Sequence, residues 1–123
     1  IGIGSGNNSA IVGVVFAGDG GQQLLVRAVG PTLAQFGVTG VMADPKLFAY
    51  STQTTPATLL GQNDNWSSGS ATASTFATNG AFPLPANSTD AALVIPVEVR
   101  GTVNRTFVIE GTGAFLAELY LFR

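Results

Sequence analysis

From position 91 to position 100 the chain alternates. Ala91, Leu93, Ile95, Val97 and Val99 share one side, and Ala92, Pro96, Glu98 and Arg100 share the other, with Val94 the one apolar exception. A period of two belongs to a strand with one face in a core and one in water. Nowhere does the sequence sustain a long helical period; apolar residues elsewhere come in short β-branched runs separated by Gly, Pro, Asn and Asp. The pattern predicts strands over 10–17, 22–29, 46–51, 58–63, 91–100, 105–110 and 114–122. Pro96 lacks a backbone donor, which places its strand at a sheet edge or at a bulge.

The connections carry turn chemistry. Gly111-Thr112-Gly113 predicts a tight hairpin between the last two strands, and Asp19-Gly20-Gly21 a similar link between the first two. Two helical turns are predicted. In Gly30-Pro31-Thr32-Leu33-Ala34-Gln35-Phe36-Gly37 proline suits the first turn, Leu33 and Phe36 share a face, and Gly37 can end it. An Ala/Thr-rich stretch over 70–78 stops at Asn79-Gly80. With 123 residues there is room for one core. The expected fold is therefore all-β: an antiparallel two-sheet β-sandwich, jelly-roll-like, with these two turns as lids over its open ends.

Composition narrows the partners. Charged residues are 10% of the chain against 46% hydrophobic, with a net charge of −2, and Lys46 with four arginines makes no patch able to neutralise a row of phosphates. Nucleic acid is not an expected partner. No run of apolar residues is long enough for a membrane helix, since even 10–17 is interrupted by Gly13. A weakly charged, cysteine-free, Thr/Ser/Asn-rich chain is common at bacterial surfaces, so an extracellular or cell-surface location is expected. Because the sequence opens at Ile1 without a basic, apolar leader, it reads as a mature product whose signal peptide has been removed.

Catalysis is not expected. Histidine and cysteine are absent, which removes Ser/His/Asp, Cys/His and zinc chemistry. Asp19, Asp44, Asp64, Asp90, Glu98, Glu110 and Glu118 remain, but a small sandwich offers little depth for a paired-carboxylate cleft. Gly2-Ile3-Gly4-Ser5-Gly6 mimics a phosphate loop without the preceding strand and following helix. The most distinctive tetrapeptide is Asn63-Asp64-Asn65-Trp66. Its oxygens, with Asp19 or Asp90, are a candidate Ca²⁺ or ligand site, and Trp66 a candidate sugar platform. The plainer reading is an Asx-turn beside a core tryptophan. Arg27, with apolar neighbours of both parities, predicts a buried ion pair with Asp44 or Glu118. Acceptor triplets for N-glycosylation start at Asn7, Asn65, Asn87 and Asn104, the last two in predicted turns.

The run Leu25-Val26-Arg27-Ala28-Val29-Gly30-Pro31-Thr32-Leu33, then Phe36-Gly37-Val38-Thr39-Gly40, Ala43-Asp44-Pro45-Lys46-Leu47 and Asn63-Asp64-Asn65-Trp66, resembles an uncharacterised β-sandwich module of large secreted and surface proteins of environmental bacteria. Gly80-Ala81-Phe82-Pro83-Leu84-Pro85, Asp90-Ala91-Ala92-Leu93 and Leu116-Ala117-Glu118-Leu119-Tyr120 extend the likeness over nearly the whole chain. It departs at Val97-Glu98-Val99-Arg100-Gly101-Thr102, where those modules commonly have a proline-glycine turn. The resemblance implies a sandwich and an extracellular location, with no catalytic residues to carry over. More remotely, Asp44-Pro45-Lys46-Leu47-Phe48-Ala49-Tyr50 leading to Asn63-Asp64-Asn65-Trp66 is similar to bacterial pre-peptidase C-terminal domains, jelly-roll modules of secreted enzymes, some of which bind calcium or polymers.

Two functions are expected to compete. The first is a structural subunit that assembles with copies of itself into a filament or surface layer. Residues 1–17 carry no charge, and Ile11, Val12, Val14, Val15 and Phe16 put apolar groups on both faces, as in a strand covered on both sides. On that reading 1–17 is a strand donated to a neighbouring subunit, 18–123 is the sandwich, and Asp19-Gly20-Gly21 is the hinge. An ordinary first strand paired with 22–29 is the alternative. The second function is a carbohydrate- or matrix-binding module built on Asn63, Asp64, Asn65 and Trp66, calcium-dependent or not.

Overall fold

In the computed structural model, residues 2–123 are described, with their side chains from residue 9 onward. The protein is mostly β. Its strands are β1 (Gly2–Val29), β2 (Lys46–Ser51), β3 (Thr58–Asn63) and β4 (Ala91–Phe122), joined in one antiparallel sheet of order β1-β4-β2-β3. β2 and β3 occupy their predicted spans. Among the described residues, hydrogen bonding links every strand into this single sheet, so the two separate sheets expected are not formed as such.

The dominant element is a ribbon. β1 and β4, 28 and 32 residues long, pair without interruption from Gly2 opposite Ala117 to Ala28 opposite Ala91. A straight strand of that length would span roughly 100 Å. Yet Leu93, Val103, Phe107 and Phe115, spread along all of β4, share one core with Leu24, Val26, Leu47 and Ala49. The ribbon is therefore bent back on itself. One bend lies where Gly18 (φ 128°) faces Gly101 (φ 83°), two left-handed conformations that only glycine adopts cheaply. The end of β4 then returns to flank β1 a second time, from Leu116 opposite Val29 to Phe122 opposite Gln23.

This corrects two predicted hairpins. Residues 10–17 do not pair with 22–29; both belong to β1, and 10–17 face 102–109 of β4. Likewise 105–110 and 114–122 are one strand across Gly111-Thr112-Gly113. Those glycines answer a different need. Residues 40–42 run against β4, with Met42 N donating to Ala114 O and Ala114 N to Gly40 O, each at 2.8 Å. A Cβ on Gly113 would stand 2.8 Å from Gly40 O. Close backbone approach at Gly113, the Met42 side chain 2.7 Å from a Cβ at Gly111, and a positive φ at both, not chain reversal, select glycine there.

The other face of 24–29 is also dry. Leu25, Val29 and Ala92 are covered by Leu33, Trp66, Ala71, Phe76, Ala81 and Leu84, which form a second apolar cluster. The covering chain holds 3-10 turns at Pro31–Phe36 and Trp66–Ser68 and a short helix, α1, at Ala73–Thr78. Gly37 ends the first turn in the left-handed conformation, and Thr72 caps α1 through its hydroxyl. Both predicted helical turns are present, but they lie over a face of the sheet and not over open ends. Leu33 is buried while Phe36 is exposed against Phe82, so the two do not share a buried face. Because both faces are covered, Ala92 is as buried as Leu93, and the predicted wet side of 91–100 begins only at Pro96.

Candidate functional site

The covered face holds the buried charges. Arg27 is fully buried, its Nε 2.9 Å from Glu118 Oε1 without the N–H being aimed at that oxygen. Its Nη1 donates to Phe82 O at 2.7 Å, and its guanidinium lies 4.7 Å and 4.5 Å from the ring centroids of Phe76 and Phe82. Of the two predicted acids, then, Glu118 is the partner. Tyr120 Oη donates to Glu118 Oε2 at 2.7 Å. Burial lowers the Arg27 pKa, with the Glu118 carboxylate opposing that shift. Burial, then the hydrogen bond to Glu118, pushes the Tyr120 phenol up to about 12. Nearby, buried Asp90 accepts from Gly30 N at 2.7 Å, Thr32 N at 3.3 Å and the Thr32 hydroxyl. Phe82 O, Gly30 and Thr32 tie the loops to the sheet through these groups, while among the described residues Arg27 Nη2 is buried without a hydrogen-bond partner.

Asn63, Asp64, Asn65 and Trp66 are not brought together as ligands. Asn63 is buried; its Nδ2 donates to Asn65 O and its Oδ1 accepts from Ala92 N. Trp66 is a core residue, 5.0 Å from the Phe76 ring, with Nε1 donating to Pro85 O at 2.9 Å. The sugar-platform expectation for Trp66 is thereby corrected: its ring faces the core. Asp64 is exposed and accepts from Asn65 Nδ2. The Asp90 carboxylate is engaged with Gly30 and Thr32, and the described residues bring together no three carboxylates. Beside Asp64 lies an open depression of about 420 Å³ lined by Lys46, Phe48, Gln62, Asn63 and Ser68.

Of the acceptor asparagines, Asn87 is exposed in a turn as predicted. Asn104 is exposed but sits within β4 opposite Val15, not in a turn. Asn65 is half-buried. Asn7 lies opposite Thr112, and its side chain falls outside the described residues.

The edges of the sheet differ sharply. Along 91–96, β4 has β1 on one side only, and its outer edge is blocked at alternate residues. Ala92 N donates to Asn63 Oδ1 at 3.1 Å, Val94 N to Ser70 Oγ at 2.9 Å, and Pro96 has no N–H to offer. Such blunting is how natural sheets avoid pairing with other chains. Of the two readings of Pro96, sheet edge or bulge, the edge is the one found, and the sequence carried no signal for Asn63 and Ser70.

The β1 edge is bare. Residues 9–22 have β4 as their one strand neighbour, and 9–18 contain no charge and no proline. Among the described residues no side chain hydrogen-bonds the backbone of 9–22. Of the five apolar residues predicted to be covered on both faces, Val12, Val14 and Phe16 pack against the core, whereas Ile11 and Val15 are 73% and 67% exposed. Within the single chain, then, the outer face of this strand is uncovered. Period-two alternation holds through 9–17, and the sequence hid it by making both faces apolar.

Comparison of the chain with known protein families, with curated proteins and with solved structures gives no match.

Proposed function

We propose that this protein is an extracellular structural subunit that assembles with copies of itself into a filament or surface layer, with β1 as the assembly strand. One observation carries the reading: the protein blocks the 91–96 edge at alternate residues and leaves the uncharged edge of 9–18 open, with Ile11 and Val15 in water beside it. An edge of that kind attracts another strand unless the protein prevents it. Exchange of residues 1–17 between subunits, swinging about Gly18 and Gly20, is one form this takes. An added strand at the free edge is the other. The finer fold we infer is a jelly-roll-like sandwich. The sharing of one core by Leu24, Val26, Leu93 and Val97 with Leu47, Ala49, Phe107 and Ile109 supports two layers made by folding one ribbon. The location is argued from the weakly charged, cysteine-free composition.

The test is sedimentation velocity and electron microscopy of the purified chain across a concentration series, beside Val15→Lys. Assembly by the natural chain and its loss in the variant are expected; a natural chain that stays monomeric at high concentration overturns the proposal.

A binding module is the second reading, favoured by the depression beside Phe48, where Lys46 and Asp64 are exposed and Gln62 lies opposite Phe48 in the ladder. An aromatic face with polar groups around it suits a neutral glycan. Retention on a polysaccharide matrix, abolished by Phe48→Ala, would support it.

A further inference from the structure

We propose that two copies pair β1 to β1 in antiparallel fashion about a two-fold axis at Gly13. This rests on the self-assembly reading and names the contact it uses. Apart from the blocked 91–96 edge of β4, the described sheet has free edges at residues 9–22 of β1 and at β3, and these two are not equally suited to accept a strand. β3 is six residues long, and its pairing with β2 is broken by a bulge at Leu60, which has no partner between Leu59 opposite Tyr50 and Gly61 opposite Ala49. Bulges twist an edge away from further pairing. By contrast, 9–18 are in unbroken register with β4.

The pattern within β1 is self-complementary. Ile11 and Val15 stand two residues either side of Gly13, all three on the outward face. With Gly13 opposite its own copy, Ile11 of each chain lies opposite Val15 of the other, and Ser9 opposite Ala17. Directly opposed residues of an antiparallel pair share a face and touch, so the two exposed apolar side chains of one copy cover those of its partner. Ion pairs have no part in this contact because 9–18 contain no charge. Backbone hydrogen bonds along both strands supply the rest. Pairing this way is isologous, using the same patch on each copy, and makes one continuous sheet of order β3-β2-β4-β1-β1-β4-β2-β3. The dimer then presents the bulged β3 edge at both ends, so growth beyond two copies into a layer or filament uses its faces.

Cysteine scanning tests the register, because the natural chain has no cysteine and any disulfide formed joins two copies. Opposed Cα atoms in an antiparallel pair are about 4.5 or 5.5 Å apart, within the span of a disulfide. Gly13 accepts a side chain, since a Cβ there meets nothing within 4 Å and its φ is not in the left-handed region. Gly13→Cys is expected to oxidise to a covalent dimer at near-full yield. Ser9→Cys is expected to cross-link with Ala17→Cys when the two variants are mixed, and to give at least tenfold less product alone. Ile11→Lys with Val15→Lys should keep the circular dichroism and melting temperature of a dilute natural chain and sediment as a monomer. Assembly that persists while Gly13→Cys fails to link overturns this register and leaves the self-assembly reading standing. A natural chain that never associates overturns both.

Discussion

Gly18 and Gly101 face each other across the β1–β4 ladder, both with positive φ. The ribbon turns there, and neither glycine is held by lack of room: a Cβ at either would meet nothing within 4 Å. The requirement is conformational. Gly18→Ala and Gly101→Ala are each expected to cost about 1–3 kcal/mol, the range for a non-glycine residue forced into a sparsely populated backbone region. Gly13→Ala, with equal space and no positive φ, should fall within about 0.5 kcal/mol of the natural chain. Urea unfolding of the three variants checks this. Equal losses at Gly13 and Gly18 would show that strand propensity, not the bend, sets the cost.

Arg27 and Glu118 predict a strong dependence on keeping both partners. Glu118→Gln leaves a guanidinium buried against Phe76 and Phe82 with its counter-charge gone, and is expected to cost about 3–5 kcal/mol. Replacing both residues by apolar ones, Arg27→Met with Glu118→Leu, should cost less than Glu118→Gln alone, because no orphaned charge remains. A double-mutant cycle read by thermal unfolding checks it, and additive losses would contradict the pairing.

The blocked edge makes a complementary prediction. Ser70 Oγ accepts from Val94 N and donates to Val94 O, so Ser70→Ala frees both groups, and Pro96→Thr restores a donor one step along. The combined variant should lose about 1–3 kcal/mol, the net value of the two hydrogen bonds Ser70 makes, while gaining concentration-dependent association. Light scattering before and after the substitutions measures it. Unchanged scattering would mean that the loops over the sheet, and not the capped backbone, keep that edge from pairing.

Local chemistry was legible and long-range pairing was not. The spans of β2 and β3, the end of α1 at Asn79, the stop at Gly37 and a buried ion pair at Arg27 follow from alternation, capping and apolar context, whereas the start of α1 at Ala73 and the choice of Glu118 over Asp44 come from the fold. What failed was reading Gly111-Thr112-Gly113 and Asp19-Gly20-Gly21 as reversals. Glycine lets a chain turn, lets a strand bend and lets another backbone come close, and the sequence does not distinguish these uses. The partner of 10–17 lies about ninety residues away, and no short-range signal names it. Blocking of Ala92 and Val94 by Asn63 and Ser70 is likewise a product of the tertiary fold. The same holds for the two open flanks of Gly13: only the fold shows that Ile11 and Val15 stay in water while Val12 and Val14 do not.

Tyr120 gives the fold a pH dependence at the alkaline end. Its phenol, ordinarily near 10, is pushed up to about 12 by burial and by the hydrogen bond to Glu118, both of which favour the neutral form. In the unfolded chain the same group loses its proton near 10, so above that pH the unfolded state holds fewer protons than the folded one. Linkage then requires stability to fall as pH rises. The contribution is fully present below about pH 10 and is lost progressively as pH rises through about 12. Tyr120→Phe has no proton to release. It should be less stable than the natural chain at neutral pH, because the Glu118 hydrogen bond is gone, and the gap should narrow between pH 10 and 12. Paired urea titrations across that window measure it, and ultraviolet difference spectra of the two folded chains locate the ionisation. A gap that stays constant from neutral pH to pH 12 would mean that Tyr120 ionises alike in both states, and that its contact with Glu118 does not hold the proton.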